Sequence, residues 1–545
     1  MQKSKNRLTF YILIKVFLFA LMMPFLIYAQ KSELSMDFYK KRRDQLRKKL
    51  PSNSVAVYFS APVRNRANDV DFEYHQDPNL YYLSGWKEPH AVLLIYSTPQ
   101  RDNNGSFNEK LYVRDRDTQN EMWNGRQLGI EGAEKMGFER IASRTLFLKD
   151  QQDFSRFDTV FIFDFENDVR DNKQETSDLY DLQKHFKNKI NYPKDFDADR
   201  YRLFQRIKTA SLVDVKSIKR TISFMASKDS TLIDDPVIQD FMSEDKEIVL
   251  TDFKKKTAFL LKNYNFDIDK LSYYMASLRE KKSPEEIILL KKAIRISTQG
   301  QIEVMKAIHS DMTEREVQGI HQLVFKKYGA AHEGYPSIVG AGDNACVLHY
   351  ITNEKTDLKN QLILMDLGAE YLGYTADVTR TIPVSGKFTT EQRLLYQIVY
   401  DAQTAGINAA KNQASFRTVS QATYKVVQNG LLELGLIDNP EDYRRYLPHG
   451  ISHHIGLDVH DPGLYEALEP NMVITIEPGI YIPEGSPCNP KWWNIGIRIE
   501  DDILITEEGP INLSKHAPRA WEKIEELMAQ KSALDDFILP PLEIN

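Results

Sequence analysis

Four acidic residues in the C-terminal half of this 545-residue chain lie within or directly after apolar runs that are typical of β-strands. They are Asp366, Asp377, Glu477 and Glu500. A carboxylate in a buried strand is costly unless it has a partner, and two carboxylates that face each other repel unless a cation or a shared proton lies between them. The chain must therefore fold so that these strands meet around a common positive charge.

The two aspartates are eleven residues apart, with two glycines between them. Glycine permits a tight turn, so the strands predicted at 361–367 and 373–383 can form a hairpin that points both carboxylates at one spot. Further strands, which end beside or contain the two glutamates, are predicted at 472–476 and 497–505. A pair of metal ions, with one carboxylate bridging them and the others terminal, would satisfy all four acids.

Histidines are unusually dense near the second of these acidic segments. His449, His453, His454 and His460 fall within twelve residues, and His349 lies apart. Oxygen ligands with a single imidazole favour Mn²⁺, and less strongly Zn²⁺, Co²⁺ or Fe²⁺. The other imidazoles could act as acid–base groups near neutral pH or be structural, and the residue types alone leave this open.

The chain is too long for one hydrophobic core, so more than one domain is expected. Alternating strand-like and helical segments predict an N-terminal α/β domain over 30–260, although the polar stretch 160–250 reads mainly as surface loops with a helix or two. The predicted strands are 54–59, 80–83, 91–96 and 110–113, with helices at 35–50 and 132–136.

A second domain follows a predicted linker at 261–282. Ser283 can cap a helix, Pro284 fits its first position, and Glu286 completes a capping box. The second domain, expected to be catalytic, then spans 283–515, and residues 516–545 are predicted to form a C-terminal tail.

The first 29 residues have the pattern of a secretory signal peptide, with a basic start, an apolar run and a small residue, Ala29, at the end. Cleavage there predicts an exported protein, periplasmic or secreted. The alternative is an uncleaved segment that anchors the chain, its only expected membrane contact. Without this segment the chain has 67 basic and 77 acidic residues, a net charge of −10 that argues against a nucleic-acid partner.

The segments around the acids and histidines resemble the aminopeptidase P branch of the "pita-bread" metallopeptidases, a fold that prolidases and methionine aminopeptidases share. The similarity is dense over 335–340 and 344–350 and at each acidic segment, is visible at 81–86 and 124–126, and weakens between about 150 and 260. It implies an α/β (α+β) protein with an N-terminal creatinase-like α/β domain and a C-terminal pita-bread metallopeptidase domain.

The resemblance also implies a role for individual residues. Two metal ions would be bound by Asp366, Asp377, His453, Glu477 and Glu500, of which Asp377 and Glu500 would bridge both ions. A water or hydroxide held between the ions would attack the scissile carbonyl, and Glu477 would be the proton shuttle to that water. His349 and His460 would stabilise the oxyanion and assist the leaving nitrogen, while His449 and Arg498 would shape the site. Tyr481 and Tyr81 are expected to contact substrate.

The implied activity is release of the N-terminal residue from peptides that have proline in the second position. The alternative is a prolidase that cleaves only dipeptides; Arg380 and the 23-residue interval from Glu477 to Glu500 favour the aminopeptidase. A non-catalytic peptide-binding module of this fold is a third possibility, although such relatives lose ligands. A homodimer or homotetramer is expected, and Tyr81 stands where close relatives have a tryptophan in the N-terminal domain.

Overall fold

The computed structural model of the protein describes residues 34–150, 152–165, 176–243, 250–537 and 539. The predicted signal segment, 1–29, lies outside these residues. Within the described ranges no helix is both long and apolar enough to cross a membrane. The chain divides into two compact units, one built from 36–280 with 462–464 and the other from most of the remaining residues.

The N-terminal unit combines helices with a mixed sheet. Its described helices are α1 (Met36–Lys49), α2 (Pro78–Ser84), α3 (Thr118–Asn124), α4 (Gly129–Glu134), α5 (Arg144–Phe147), α6 (Leu179–Lys189), α7 (Ala198–Thr209), α8 (Val215–Ala226), α9 (Pro236–Ser243), α10 (Leu250–Leu261) and α11 (Lys270–Arg279). Its described strands are β1 (Ser54–Phe59), β2 (Asn65–Ala67), β3 (Val70–Asp71), β4 (Val92–Asp102), β5 (Gly105–Val113), β6 (Ile141–Ser143), β7 (Thr159–Phe161) and β8 (Phe266–Asp267).

The main sheet of this unit has the order β6-β5-β4-β1-β7-β8. Strand β1 lies at its centre, antiparallel to β4 and parallel to β7. Its residues are apolar on both faces, and nearly all are buried, as expected for a strand covered on both sides. The expected α/β character of this half is therefore present.

One predicted strand, 80–83, is a helix instead. Asp77 accepts a hydrogen bond from the backbone N–H of Leu80, Pro78 occupies the first turn, and Gly85 ends the helix at a φ of 69°. These are start and stop signals of a short helix, and they outweigh the β propensity of the two tyrosines between them.

The polar stretch 160–250 is more helical than its composition predicts, since α6 to α9 lie in it. Asp178 and Asp197 cap α6 and α7 through their side chains. Each helix buries one apolar stripe, for example Leu182 and Phe186 of α6. The range predicted as a linker, 261–282, likewise contains β8 and α11, with Leu271 and Met275 buried, so this part of the chain is folded rather than extended.

The C-terminal unit contains several smaller sheets wrapped by helices. Its described helices are α12 (Pro284–Ala307), α13 (Glu314–Lys327), α14 (Thr390–Ala409), α15 (Phe416–Glu433) and α16 (Trp521–Met528). Its described strands are β9 (His332–Glu333), β10 (Ile338–Ala341), β11 (Leu362–Asp366), β12 (Ala369–Tyr371), β13 (Tyr374–Thr375), β14 (Thr379–Pro383), β15 (Val473–Ile476), β16 (Gly479–Ile482), β17 (Ile495–Arg498), β18 (Asp501–Thr506) and β19 (Gly509–Asn512).

Helix α12 begins as predicted, with Pro284 at its start and a reciprocal capping box between Ser283 and Glu286. The predicted hairpin is also present, because β11 pairs antiparallel with β14 and sets Asp366 opposite Thr379. The excursion β12–β13 lies between them. In the range predicted as a tail, α16 packs Ile524 into the hydrophobic core of this unit.

Candidate active site

The two aspartates meet at one end of the β11–β14 pair. Asp366 is the last residue of β11, and Asp377 lies just before β14; both side chains are buried. The hydroxyl of Tyr335 is 2.6 Å from Oδ1 of Asp366 and 2.7 Å from Oδ1 of Asp377. One phenol therefore bridges both carboxylates, so the two acids face a common point as the hairpin predicts.

The remaining predicted ligands converge on the same point. Glu500 lies between β17 and β18, and one of its carboxylate oxygens is within 4.8 Å of ligand atoms of Asp377 and His453. Nε2 of His453 lies 3.5 Å from Oδ2 of Asp377 and 3.5 Å from Oε1 of Glu477. The five side chains thus form one cluster built from five separate segments of the C-terminal unit.

The orientation of His453 fits a metal ligand. Its Nδ1 lies 3.0 Å from the carbonyl oxygen of His454, a contact that requires the proton on Nδ1. The lone pair then resides on Nε2, the atom that faces the carboxylates of Asp377 and Glu477. Lone pairs of three ligand atoms that face each other are stabilised by a cation or a shared proton between them. A backbone contact that fixes the tautomer is common for metal-bound histidine.

The protonation equilibria of the acids lead to the same conclusion. Burial, together with the neighbouring carboxylates, raises the pKa of Asp377 and of Glu500 well above the usual range. Burial and the charge of Glu500 raise the pKa of Glu477 to about 8. The cluster holds more negative charge than its neighbours neutralise, which divalent cations would offset. These residues therefore fit a metal site.

Asp366 differs from the other acids because it has a cationic partner. Nη2 of Arg498 is 2.6 Å from Oδ2 of Asp366. Burial would raise the pKa of Asp366, but the charge of Arg498 and hydrogen bonds from Tyr335 and Arg498 outweigh it and hold this pKa below its usual range. Asp366 is thus held ionised by the protein itself.

A chain of hydrogen bonds extends from this ion pair to His449. Nη1 of Arg498 donates to the hydroxyl of Tyr481 over 2.8 Å, and that hydroxyl lies 2.9 Å from Nε2 of His449. Burial and the nearby charge of Arg498 lower the pKa of His449 to about 4. This imidazole is therefore neutral at physiological pH, and it acts as a hydrogen-bond partner rather than a cation.

The cluster opens into a cavity of about 580 Å³. His349 and His460 lie on its walls, and the ring centroid of His460 is 4.4 Å from that of His453. The rest of the wall is largely apolar and includes Pro336, Ile338, Leu348, Ile351 and Val459. This size and composition are typical of a small-molecule binding site.

The structure brings together all of the predicted site residues of the C-terminal unit. Asp366, Asp377, His453, Glu477, Glu500, His349, His449, His460 and Arg498 line the cavity, and Tyr481 lies behind it. Tyr81 belongs to α2 of the N-terminal unit, where its ring packs edge-on against Tyr39. The individual roles assigned to these residues stay predictions.

Three polar contacts around the cluster have no counterpart in the sequence analysis. Tyr335 bridges the two aspartates, Thr379 Oγ1 donates to Glu500 Oε2 over 2.6 Å, and Asp502 Oδ2 accepts from the backbone N–H of Asp377 over 3.1 Å. Burial and the charge of Asp377 raise the pKa of Asp502 well above its usual range. Asp502 lies in the predicted strand that holds Glu500, and this proximity is the sequence signal that points to it.

Comparisons with known proteins agree with this geometry. Residues 288–507 match the model of metallopeptidase family M24, and residues 39–145 match the model of the aminopeptidase P N-terminal domain. The Xaa-Pro aminopeptidase of Escherichia coli K12 is 30% identical over 511 residues, which cover 91% of this chain and 98% of that relative. Xaa-Pro aminopeptidase 3 of Dictyostelium discoideum is 30% identical, with 91% and 84% covered.

Solved structures show the same similarity. Aminopeptidase P from E. coli, in a structure with the inhibitor Pro-Leu, superposes with a TM-score of 0.69 at 28% identity and covers 91% of this chain and 98% of its own. Aminopeptidase PepP of Pseudomonas aeruginosa superposes with a TM-score of 0.71 at 27% identity, with 92% and 99% covered. The expected fold and family are confirmed: this chain belongs to metallopeptidase family M24, in the branch that carries an aminopeptidase P N-terminal domain.

Proposed function

We propose that this enzyme is a metallo-aminopeptidase that releases the N-terminal residue from peptides with proline in the second position. The observation that carries the proposal is the convergence of Asp377, His453 and Glu500 within 4.8 Å of one another on the wall of the cavity. The relatives named Xaa-Pro aminopeptidase support the substrate class.

Two divalent cations held by Asp366, Asp377, His453, Glu477 and Glu500 would supply a water of lowered pKa and a Lewis acid for the scissile carbonyl. The donor set of four carboxylates and one imidazole favours Mn²⁺. Asp377 contacts Tyr335 through Oδ1 and His453 through Oδ2. A bridging role for Asp377 is consistent with this use of both oxygens.

Glu477 is the residue we assign to proton transfer. Its Oε1 is directed at His453 and its Oε2 lies 3.7 Å from Nδ1 of His449. All three acids line the cavity, but the side chain of Glu477 is partly exposed whereas those of Asp366 and Glu500 are buried. A carboxylate that reaches both the cluster and the cavity can take a proton from the attacking water and deliver it to the leaving nitrogen.

The exposed histidines face the position of the substrate. His349 and His460 are not held in the carboxylate cluster, so their ring N–H groups can donate to the oxygen that becomes negative during attack. Burial and the neighbouring His453 lower the pKa of His460, which favours its neutral form. The Xaa–Pro bond is a tertiary amide without an N–H, and the apolar wall of the cavity suits the proline ring.

Metal analysis of the purified enzyme tests this proposal. We expect about two Mn²⁺ ions per chain after reconstitution, with cleavage of an Xaa-Pro-Xaa peptide that chelation abolishes. Asp377→Asn and Glu500→Gln should each lower metal content and remove activity. A protein that binds no transition metal, and stays inactive when Mn²⁺ is added, would instead be a peptide-binding module of this fold.

We also propose that the chain is exported and cleaved after Ala29, on the strength of the basic start and apolar run that precede this residue. Mass spectrometry of the protein from its native host should give a chain that begins at Gln30. An intact N-terminus in the membrane fraction would show that the segment is an anchor.

A further inference from the structure

The first residue of α13, Glu314, has a carboxylate that is fully buried and lies outside the metal cluster. A buried carboxylate is costly unless hydrogen bonds replace its water shell. Four donors do so here: the backbone N–H of Ala341 at 2.8 Å, Nδ2 of Asn344 at 3.0 Å, the hydroxyl of Tyr350 at 2.9 Å and the backbone N–H of Lys355 at 2.9 Å. A fully hydrogen-bonded buried carboxylate of this kind fixes the position of the chain segments that supply its donors.

The donors divide according to their position in the chain. Oε1 accepts from Ala341 and Asn344, which precede His349. Oε2 accepts from Tyr350 and Lys355, which follow it. The backbone N–H of Glu314 also donates to the carbonyl of Lys355 over 3.0 Å. One carboxylate therefore ties together the two ends of the segment 341–355, which we call the His349 segment.

The opposite side of the His349 segment rests against β17. A Cβ added to Gly496 would lie 2.2 Å from the carbonyl oxygen of Ala345, so the strand contacts the turn directly. Leu348 and Tyr350 pack against a small buried cluster that includes Ile338 and Leu364. His349 itself is exposed in the cavity. The imidazole thus depends on its anchored neighbours for its position.

We propose that Glu314 is a positioning residue that sets the location of His349 over the substrate. This inference rests on the proposed function, in which His349 stabilises the oxyanion. Glu314 does not line the cavity, so it acts through the His349 segment. A shift of about 1 Å in a catalytic group lowers turnover by up to about 10²-fold, which is the range expected when the carboxylate is altered.

The principal variant is Glu314→Gln. The amide NH₂ would face two donors at one end of the His349 segment, so that end is released while the side-chain volume is kept. We expect faster hydrogen exchange of the backbone amides of 341–355, a kcat lowered about 10- to 100-fold and a KM within about threefold of wild type. Metal content should be unchanged. Glu316→Gln is the matched control, because Glu316 lies on the same helix, does not line the cavity and accepts a hydrogen bond from the backbone N–H of the N-cap residue Thr313 in the capping box.

A double-mutant cycle with His349→Ala shows whether Glu314 acts through the histidine. Glu314→Gln should lower kcat by less than about twofold when His349 is already alanine. Equal losses in both backgrounds, or unchanged exchange of 341–355, would overturn the proposal. Tyr350→Phe removes one donor only and should give a smaller effect in the same direction, so it serves if the glutamine variant does not fold.

The hydrogen-exchange experiment does not depend on turnover. It can therefore test the role of Glu314 separately from the proposed aminopeptidase function. If the wild-type enzyme cleaves no Xaa-Pro bond, the proposed function fails, and exchange alone decides whether Glu314 holds the segment. If the enzyme cleaves the peptide but His349→Ala leaves kcat unchanged, the assignment of Glu314 as a positioning residue for His349 is overturned.

Discussion

Arg498 and Asp366 form a buried ion pair, in which Nη2 of the guanidinium lies 2.6 Å from Oδ2 of the carboxylate. The other oxygen of Asp366 contacts Tyr335, and the other terminal nitrogen of Arg498 donates to Tyr481. Both ends of the pair are therefore held by further hydrogen bonds. The surrounding hydrogen bonds therefore fix the orientation of the Asp366 carboxylate, as is common for residues around a metal site.

The first prediction concerns this ion pair. Arg498→Lys keeps the positive charge but loses the fork that reaches Asp366 and Tyr481 together, so kcat/KM should fall about 10- to 100-fold. Tyr481→Phe removes only one of these contacts and should cost less. Steady-state kinetics with an Xaa-Pro-Xaa peptide measure both effects. Activity of Arg498→Lys within twofold of wild type would show that the charge alone is sufficient.

His349 should affect turnover without affecting metal binding. It lies on the cavity wall but outside the ligand cluster, so His349→Ala should lower kcat about 10²–10⁴-fold through loss of transition-state stabilisation. Metal content, measured by mass spectrometry, should stay near that of wild type. Loss of metal from this variant would place His349 among the ligands instead.

Stability should fall in acid because of His321, which lies on α13, far along the chain from the ligands. Burial lowers the pKa of His321 to about 3, and the side chain is fully buried. The unfolded chain takes up a proton near pH 6.5, whereas the folded chain does so only near pH 3. Stability from the neutral imidazole is therefore present above pH 6.5 and lost as the pH falls from 6.5 towards 3.

Urea unfolding at pH 7.5 and pH 5 measures this effect. Wild type should lose about 2 kcal/mol more than His321→Leu between the two pH values, since each pKa unit corresponds to about 1.4 kcal/mol. Each protein is compared with itself at two pH values. Any pH-independent change in the free energy of unfolding that His321→Leu causes therefore cancels. Equal losses in the two proteins would show that His321 is already protonated, or exposed, near pH 5.

Arg380 should matter for folding rather than for substrate choice alone. Its guanidinium is buried, with Nη2 at 2.7 Å from Oδ1 of Asp501 and Nη1 at 2.7 Å from the carbonyl oxygen of Glu500. Arg380→Met leaves the Asp501 carboxylate buried without its cation, which should destabilise the protein by about 3–5 kcal/mol. Denaturant unfolding measures the change. A loss below about 1 kcal/mol would mean that the network around Asp501 compensates fully.

The parts of the fold that were predicted correctly are those with strong local signals. The capping box at Ser283 and the apolar run that ends at Asp366 are specified by adjacent residues, and the structure confirms both. The strand predicted at 80–83 is wrong, because the caps at Asp77 and Gly85 outweigh the β propensity of the two tyrosines between them. The helix over Lys270–Arg279 lies in the range predicted as a linker, although Leu271, Met275 and Leu278 follow helical spacing and are buried.

The residues of the candidate site also differ in whether a local sequence pattern predicts them. An acidic residue in an apolar strand is a strong sequence signal, because a buried carboxylate needs a partner. Asp366, Asp377 and Glu500 could therefore be placed near each other from the sequence. The phenol of Tyr335 approaches them from a loop with no periodic pattern, and the donors around Glu314 are spread over 15 residues of a separate segment. Contacts of this kind depend on tertiary structure, and no local residue pattern encodes them.

The proposed function requires metal-dependent cleavage of the bond before proline in substrates longer than a dipeptide. The most direct measurement compares kcat/KM for an Ala-Pro-Ala tripeptide, an Ala-Ala-Ala tripeptide and an Ala-Pro dipeptide, each with and without Mn²⁺. We predict Mn²⁺-dependent release of alanine from Ala-Pro-Ala, with little cleavage of the tripeptide that lacks proline. Cleavage of the Ala-Pro dipeptide alone would contradict the account and identify a prolidase.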